Sequence, residues 1–223
     1  MKSSVKYLFA VMFCFLWVVS AQAQFEMRRP TIQGVWSPEV GKGAVYSIDA
    51  KRADGGPTEM EMAVVGTETF EGKTGHWLET AMKTRREGQM VMKMLMVQVG
   101  KELQVKRMIM QMGDEPPMEF PVEMMQRGQQ QAESADFREK AEKIGTETIT
   151  TPAGTFECEH WRSTERNVTA DVWFAASARP YGLVKTTSTE GGMTLIRLID
   201  NAKSKIRGTP QKLDIQQMMR DRP

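Results

Sequence analysis

The chain has 223 residues, with 30 Lys plus Arg against 28 Asp plus Glu, two histidines, two cysteines and 19 methionines. A formal charge this close to zero excludes the basic surplus that nucleic acid or an anionic lipid surface demands of a protein partner. The length suits one domain with a sizeable core, or two small ones.

The N-terminus reads as a secretory signal peptide. Lys2 and Lys6 form a basic n-region, Tyr7 to Val19 is almost unbroken apolar sequence, and Ala21-Gln22-Ala23 supplies a small-x-small cleavage site. Cleavage after Ala23 and export to a bacterial periplasm are expected. Removing residues 1–23 takes two lysines and no acidic residue, so the mature formal charge is zero. Cys14 leaves with that segment, and Cys158 alone cannot form an intramolecular disulfide. Cys158 reads first as a small buried hydrophobe, with a reactive thiol and an intermolecular link as the alternatives. No later apolar run reaches about 18 residues, so no transmembrane segment is expected in the mature chain.

From Gly43 to Val122 the pattern predicts an antiparallel meander. Ala44, Tyr46 and Ile48 alternate with polar neighbours, and Ala53-Asp54-Gly55-Gly56 is a hairpin signal. Met60, Met62 and Val64 face one way, with Glu59 and Glu61 facing the other. Glu71 to Gly75 turns into a strand over 76–83, and the methionine run at 90–99 follows. Gly100-Lys101-Glu102 then turns the chain into Leu103–Met112, which Gly113 to Pro117 ends. Residues 123–143 read as a helical or linker segment, with a helix over 134–143 capped by Ser134 or Asp136. Strands are predicted again at 145–151, 155–164, 168–175, 182–189 and 193–199. Residues 24–200 are thus expected to form a single β-rich domain, and 201–223 a polar tail that frays.

Met90, Met92, Met94 and Met96, then Met108, Met110 and Met112, recur with a period of two. That period places each run on one face of a strand. Leu103 and Val105 lie on the opposite parity to Met108. Either a β-bulge near Arg107 shifts the phase, or the strand is covered on both faces. Methionine is flexible and polarizable, and it suits a wall that must re-pack around apolar partners of varying shape. With Met60 and Met62, these nine residues are the candidate wall of an apolar site. Plain core packing is one alternative; a Cu(I) site is another, since thioethers are soft ligands. Methionines two apart on a strand lie about 6.5–7 Å apart along a line, however, and a metal needs convergence.

The chemistry of catalysis is not legible. Each histidine directly precedes a tryptophan, His76-Trp77 and His160-Trp161, so inward tryptophans would turn the histidines outward. Cys158 and His160 share a parity, which is short of the spaced ligand pairs zinc requires. No nucleophile elbow and no phosphate-binding glycine loop occurs. No enzyme activity, catalytic residue, metal site or cofactor is therefore expected. A weak internal echo is present: Gly66-Thr67-Glu68-Thr69 precedes the first His-Trp pair, and Gly145-Thr146-Glu147-Thr148 the second.

Thr151-Pro152-Ala153-Gly154-Thr155-Phe156, Asp171-Val172-Trp173-Phe174 and Gly182-Leu183-Val184-Lys185 resemble uncharacterised exported bacterial proteins of the LolA/LolB-like lipoprotein-carrier superfamily. The resemblance implies a mainly β fold, an antiparallel sheet curled into a half-barrel with one or two helices, whose apolar concave face holds lipid chains. The expected function is non-catalytic periplasmic binding of an apolar ligand, a lipid or a lipoprotein acyl chain. The alternatives are a methionine-rich copper-binding protein and a structural envelope protein without a ligand.

Overall fold

In the computed structural model, the described residues are 35–50, 58–84, 88–121, 133–134, 136–165 and 168–213. The signal-peptide reading, the 53–56 hairpin turn, residues 123–132 of the expected helical or linker segment and the end of the tail lie outside them. The fold is mainly β, a single open, curled sheet. Its strands are β1 (Gly43–Ala50), β2 (Glu59–Phe70), β3 (Lys73–Thr84), β4 (Gly88–Val99), β5 (Glu102–Met112), β6 (Met118–Phe120) and β7 (Glu133–Ser134). Then follow β8 (Glu142–Thr151), β9 (Gly154–Glu165), β10 (Val168–Phe174), β11 (Leu183–Ser188), β12 (Gly191–Ile199) and β13 (Gln211–Lys212).

The spatial order is β13-β6-β5-β4-β3-β2-β1-β12-β11-β10-β9-β8, with β7 paired to β5. Two runs of consecutive strands, β1 to β6 and β8 to β12, are joined where β1 pairs β12. Hairpin spacing in the sequence therefore reports real neighbours. The helix expected over 134–143 is one 3-10 turn, Phe137–Lys140, with Asp136 as its N-cap accepting from the Arg138 N–H. Lys140 is followed almost at once by β8, whose pairing with β9 begins at Glu142. Sheet hydrogen bonds thus override the helical propensity of Ala141, Glu142 and Lys143.

In-register rows run across the strands and define an inner face. One row is Leu195–Tyr46–Met60–Met82–Met90–Met112, and the next is Ala44–Met62–Thr80–Met92–Met110–Met118. A third runs Val64–Leu78–Met94–Met108–Phe120. Tyr46, Met60, Met62, Leu78, Met92, Met94 and Met108 of these rows share one contiguous core with Val172, Leu183 and Met193 from the other run of strands. A flat sheet could not bring them together, so the curl encloses this face. The Tyr46 hydroxyl, fully buried, donates to the Leu183 carbonyl at 3.0 Å, and burial pushes the phenol above its usual range.

The phase change in β5 is a bulge. Leu95 opposes Arg107 while Met96 opposes Val105, which leaves Lys106 as the extra residue. Leu103 and Val105 thereby rejoin Met108 on the inner face. The outer face is covered as well, because Trp77, Leu95, Val97 and Ile109 form a second core against which Ile206 packs. Residues 203–213 do not fray. Buried Glu79 accepts from the Ser204 hydroxyl at 2.6 Å and the Lys205 N–H at 2.7 Å. Buried Gln111 accepts from the Arg207 N–H at 2.8 Å and donates to the Arg207 carbonyl. Composition alone misleads here, since a polar segment is anchored by its backbone groups, which composition does not register.

On the outer face, Arg107 is held between Glu119 (2.7 Å) and Glu68 (2.9 Å), and it lies 5.3 Å from the Trp77 ring centroid. The guanidinium keeps the Glu119 carboxyl below its ordinary 4.5. The carboxyls of Asp136 and Glu159 are depressed likewise, by Arg138 and Lys143 respectively. Groups with lowered folded pKa values stabilise fully above the unfolded value and lose that contribution as pH falls. The urea midpoint should therefore stay level down to about pH 5 and drop below it. Arg107→Met should reduce the slope of that drop.

Candidate functional site

All nine methionines expected to form a wall lie on the inner face. Met60, Met62, Met92, Met94, Met96 and Met108 are buried there, and Met90, Met110 and Met112 are half-buried. The register faces the two runs directly: Met90 opposes Met112, Met92 opposes Met110, and Met94 opposes Met108. Three further methionines extend the wall. Met82 opposes both Met60 and Met90, Met118 opposes Met110, and Met193 opposes Ile48. Met82 shares a parity with Leu78 in the predicted 76–83 strand, so it could have been found. Met118 lies just past the Pro116-Pro117 turn, where no period is long enough to read.

Burial along these strands is graded. Met62, Met92 and Met94 are buried, whereas Met82, Met90, Met110, Met112 and Met118 are half-buried. These half-buried residues, a lip to the inner face, lie at the ends of β3 and β5 and the starts of β4 and β6. The opposite end is filled by aromatic rings. Trp36 is buried against Tyr181 (centroids 5.1 Å apart) and meets His76 edge-on at 6.4 Å. Backbone bonds from Val35 and Ser37 to the Tyr181 and Pro180 carbonyls fix that segment.

The inner rows of β1 to β6 carry no Asp, Glu, Lys or Arg. Their polar members are few. His76 opposes Met96, and burial lowers its pKa. Thr80 lies between Met62 and Met92, 3% exposed, and its hydroxyl has no hydrogen-bond partner. A polar residue on an apolar parity was the sequence signal for Thr80, and it is visible between Leu78 and Met82.

The two His-Trp pairs face opposite ways. A register shift precedes Gly66 in β2 and Gly145 in β8 alike, so the echoed segments occupy equivalent hairpins. Gly66 opposes Trp77, whereas Gly145 opposes His160. That one-residue difference turns Trp77 outward beneath Lys93 and Arg107, and His76 inward. In β9 the arrangement is the expected one. Trp161 meets Phe137 at 6.1 Å, while His160 stacks on Trp173 between Glu147 (2.8 Å) and Asp171 (2.9 Å). Cys158 is buried, and its thiol is pushed up to about 11, by burial first and the Glu147 charge second. It should resist iodoacetamide at neutral pH in the native protein and react only on unfolding, as intact mass before and after denaturant would show. Among the described residues, no group of three or more His, Cys, Asp or Glu side chains is placed to hold a metal ion. No helix there is long and apolar enough to cross a membrane.

A family described as "Domain of unknown function (DUF4412)" matches residues 57–208, more than half of the chain. The chain belongs to this family. The match takes in β2 to β12 and the residues that anchor the 203–207 segment. No curated protein matches the chain. Among solved structures, it is similar to a protein from Bacteroides fragilis NCTC 9343 described as exported and of YmcC-like fold. The identity is 14%, the match covers 74% of this chain and 99% of that one, and the TM-score is 0.37. A protein of Parabacteroides distasonis ATCC 8503, described as a lipoprotein, matches at 14% identity over 74% of this chain and 98% of its own, with a TM-score of 0.37. PNGF-II matches at 8% identity over 80% of this chain and 32% of that one, with a TM-score of 0.37.

Proposed function

We propose that this DUF4412 protein is a non-catalytic periplasmic binding protein for a long apolar chain, such as a lipid or a lipoprotein acyl chain, held on the methionine-lined inner face. The observation that carries this reading is the graded wall. Twelve methionines lie on the inner face, whose rows in β1 to β6 carry no Asp, Glu, Lys or Arg, and they grade from buried to half-buried at the lip. A wall meant only for stability is better served by Leu, Ile and Val, whose rotamers are fixed. Methionine side chains re-pack at low cost, which suits a chain sliding in from the lip. The resemblance of the 151–156, 171–174 and 182–185 segments to uncharacterised exported proteins of the LolA/LolB-like superfamily supports the same reading. Native mass spectrometry of protein purified from its host periplasm tests it: co-purifying mass in the lipid range is expected. A clean apo mass, together with no uptake of a fluorescent fatty acid, contradicts it.

One observation favours a second reading. Met82, Met90 and Met112 lie abreast on three adjacent strands. Neighbouring strands are about 4.8 Å apart, so three thioethers can converge there as a single strand's methionines cannot. Under this reading Cu(I) competition titration gives a tight site that the triple Leu variant loses. Under the lipid reading, the same variant keeps fatty-acid affinity within a few-fold, because leucine retains the burial and removes only the sulfur.

A further inference from the structure

Thr80 is the one side-chain polar atom among the described residues that is buried without a partner. It occupies the middle of the wall. Met62 and Met92 flank it across the strands, and Leu78 and Met82 precede and follow it on the same face. A buried hydroxyl with no partner is costly, and a threonine here could be replaced by valine of nearly the same shape without that cost. The hydroxyl also lies one residue pair deeper than the Met82–Met90 lip. At 3% exposure it does not meet a headgroup held in solvent at the rim.

We infer that Thr80 is the hydrogen-bonding position for an oxygen carried within the hydrocarbon body of the ligand. This rests on the apolar-chain reading above and narrows its substrate class. The ligand is a long-chain amphiphile with a hydroxyl, ester or similar oxygen part-way along the chain, rather than a plain saturated chain. The methionines accept the hydrocarbon on either side, and Thr80 fixes how far the chain enters. An oxygen that stays unpaired against a buried group elsewhere in the wall is rejected, so the hydroxyl sets register as well as affinity.

The test is displacement of a fluorescent fatty acid by stearate and by stearates hydroxylated at successive carbons, on wild type and Thr80→Val. In wild type, one positional isomer should bind about tenfold tighter than stearate, the worth of one buried hydrogen bond. In Thr80→Val that preference should vanish, every isomer then binding within about twofold of stearate on the same variant. The melting temperature of ligand-free Thr80→Val should be equal to or about 2–4 °C above wild type. Equal affinity of all isomers in wild type, or a preference that survives Thr80→Val, overturns the assignment while leaving the apolar-chain reading intact. A fall of several degrees in the ligand-free variant also overturns it, because the hydroxyl would then already be satisfied. If neither stearate nor any isomer binds, the apolar-chain reading itself fails.

Discussion

Gly182→Ala is expected to cost about 2–5 kcal/mol and to lower the melting temperature by about 10 °C. Gly182 has φ +70°, a conformation an L side chain adopts only at a penalty. A Cβ built there also overlaps the ring of Phe174. Phe174 ends β10 and opposes Leu183, and the Ala175 N–H donates to the Gly182 carbonyl at 2.8 Å. The β10–β11 connection is thus closed by a ring lying where any other residue would put its side chain. The two contributions separate in a double-mutant cycle. In a Phe174→Leu background the smaller side chain relieves the overlap, and Gly182→Ala should cost only the conformational part, about 1–2 kcal/mol. Denaturant midpoints of the four proteins decide this. Full additivity would mean that the ring and the glycine are not in conflict.

Glu79→Ala should destabilise by about 2–4 kcal/mol, although Glu79 sits on the outer face. Its carboxylate accepts two hydrogen bonds from the 203–207 segment, and Lys205 also pairs with Glu61 at 2.5 Å. Alanine removes the acceptor and leaves the Lys205 N–H without its partner. Ile206 then loses its hold on Trp77, Leu95 and Ile109. Hydrogen exchange should show the loss directly, with protection falling at residues 204–207 and in β3 before the rest of the sheet. Glu79→Gln keeps one acceptor oxygen and should cost less than half as much. An unchanged exchange pattern in Glu79→Ala would remove the segment's structural role.

Most of the sheet was legible in the sequence because its signals are local. The strand predicted at 155–164 is β9 (Gly154–Glu165), and the one at 193–199 is β12 (Gly191–Ile199). Turn chemistry and period two are both read from neighbouring residues. The parity break in β5 pointed to either a bulge near Arg107 or cover on both faces, and the strand has both. What was not legible depends on distant partners. Trp77 faces outward because of how Gly66 registers against β3, a pairing decision that no single strand encodes. The 203–213 segment is held by Glu79 and Gln111, more than ninety residues away. The methionine face was readable as a row on each strand. Its enclosure, its lip, and the unpaired Thr80 at its centre needed the register of five strands to be known.

The inner face, and not the outer one, is expected to receive a long apolar chain. Photo-crosslinking with a fatty acid carrying a mid-chain diazirine, followed by peptide mass spectrometry, tests this most directly. Adducts are predicted on β3, β4 and β5 at Met82, Met90, Met92, Met110 and Met112. Adducts confined to the outer face, around Trp77, Ile109 and Ile206, or no adduct above that of an unrelated protein, would contradict it.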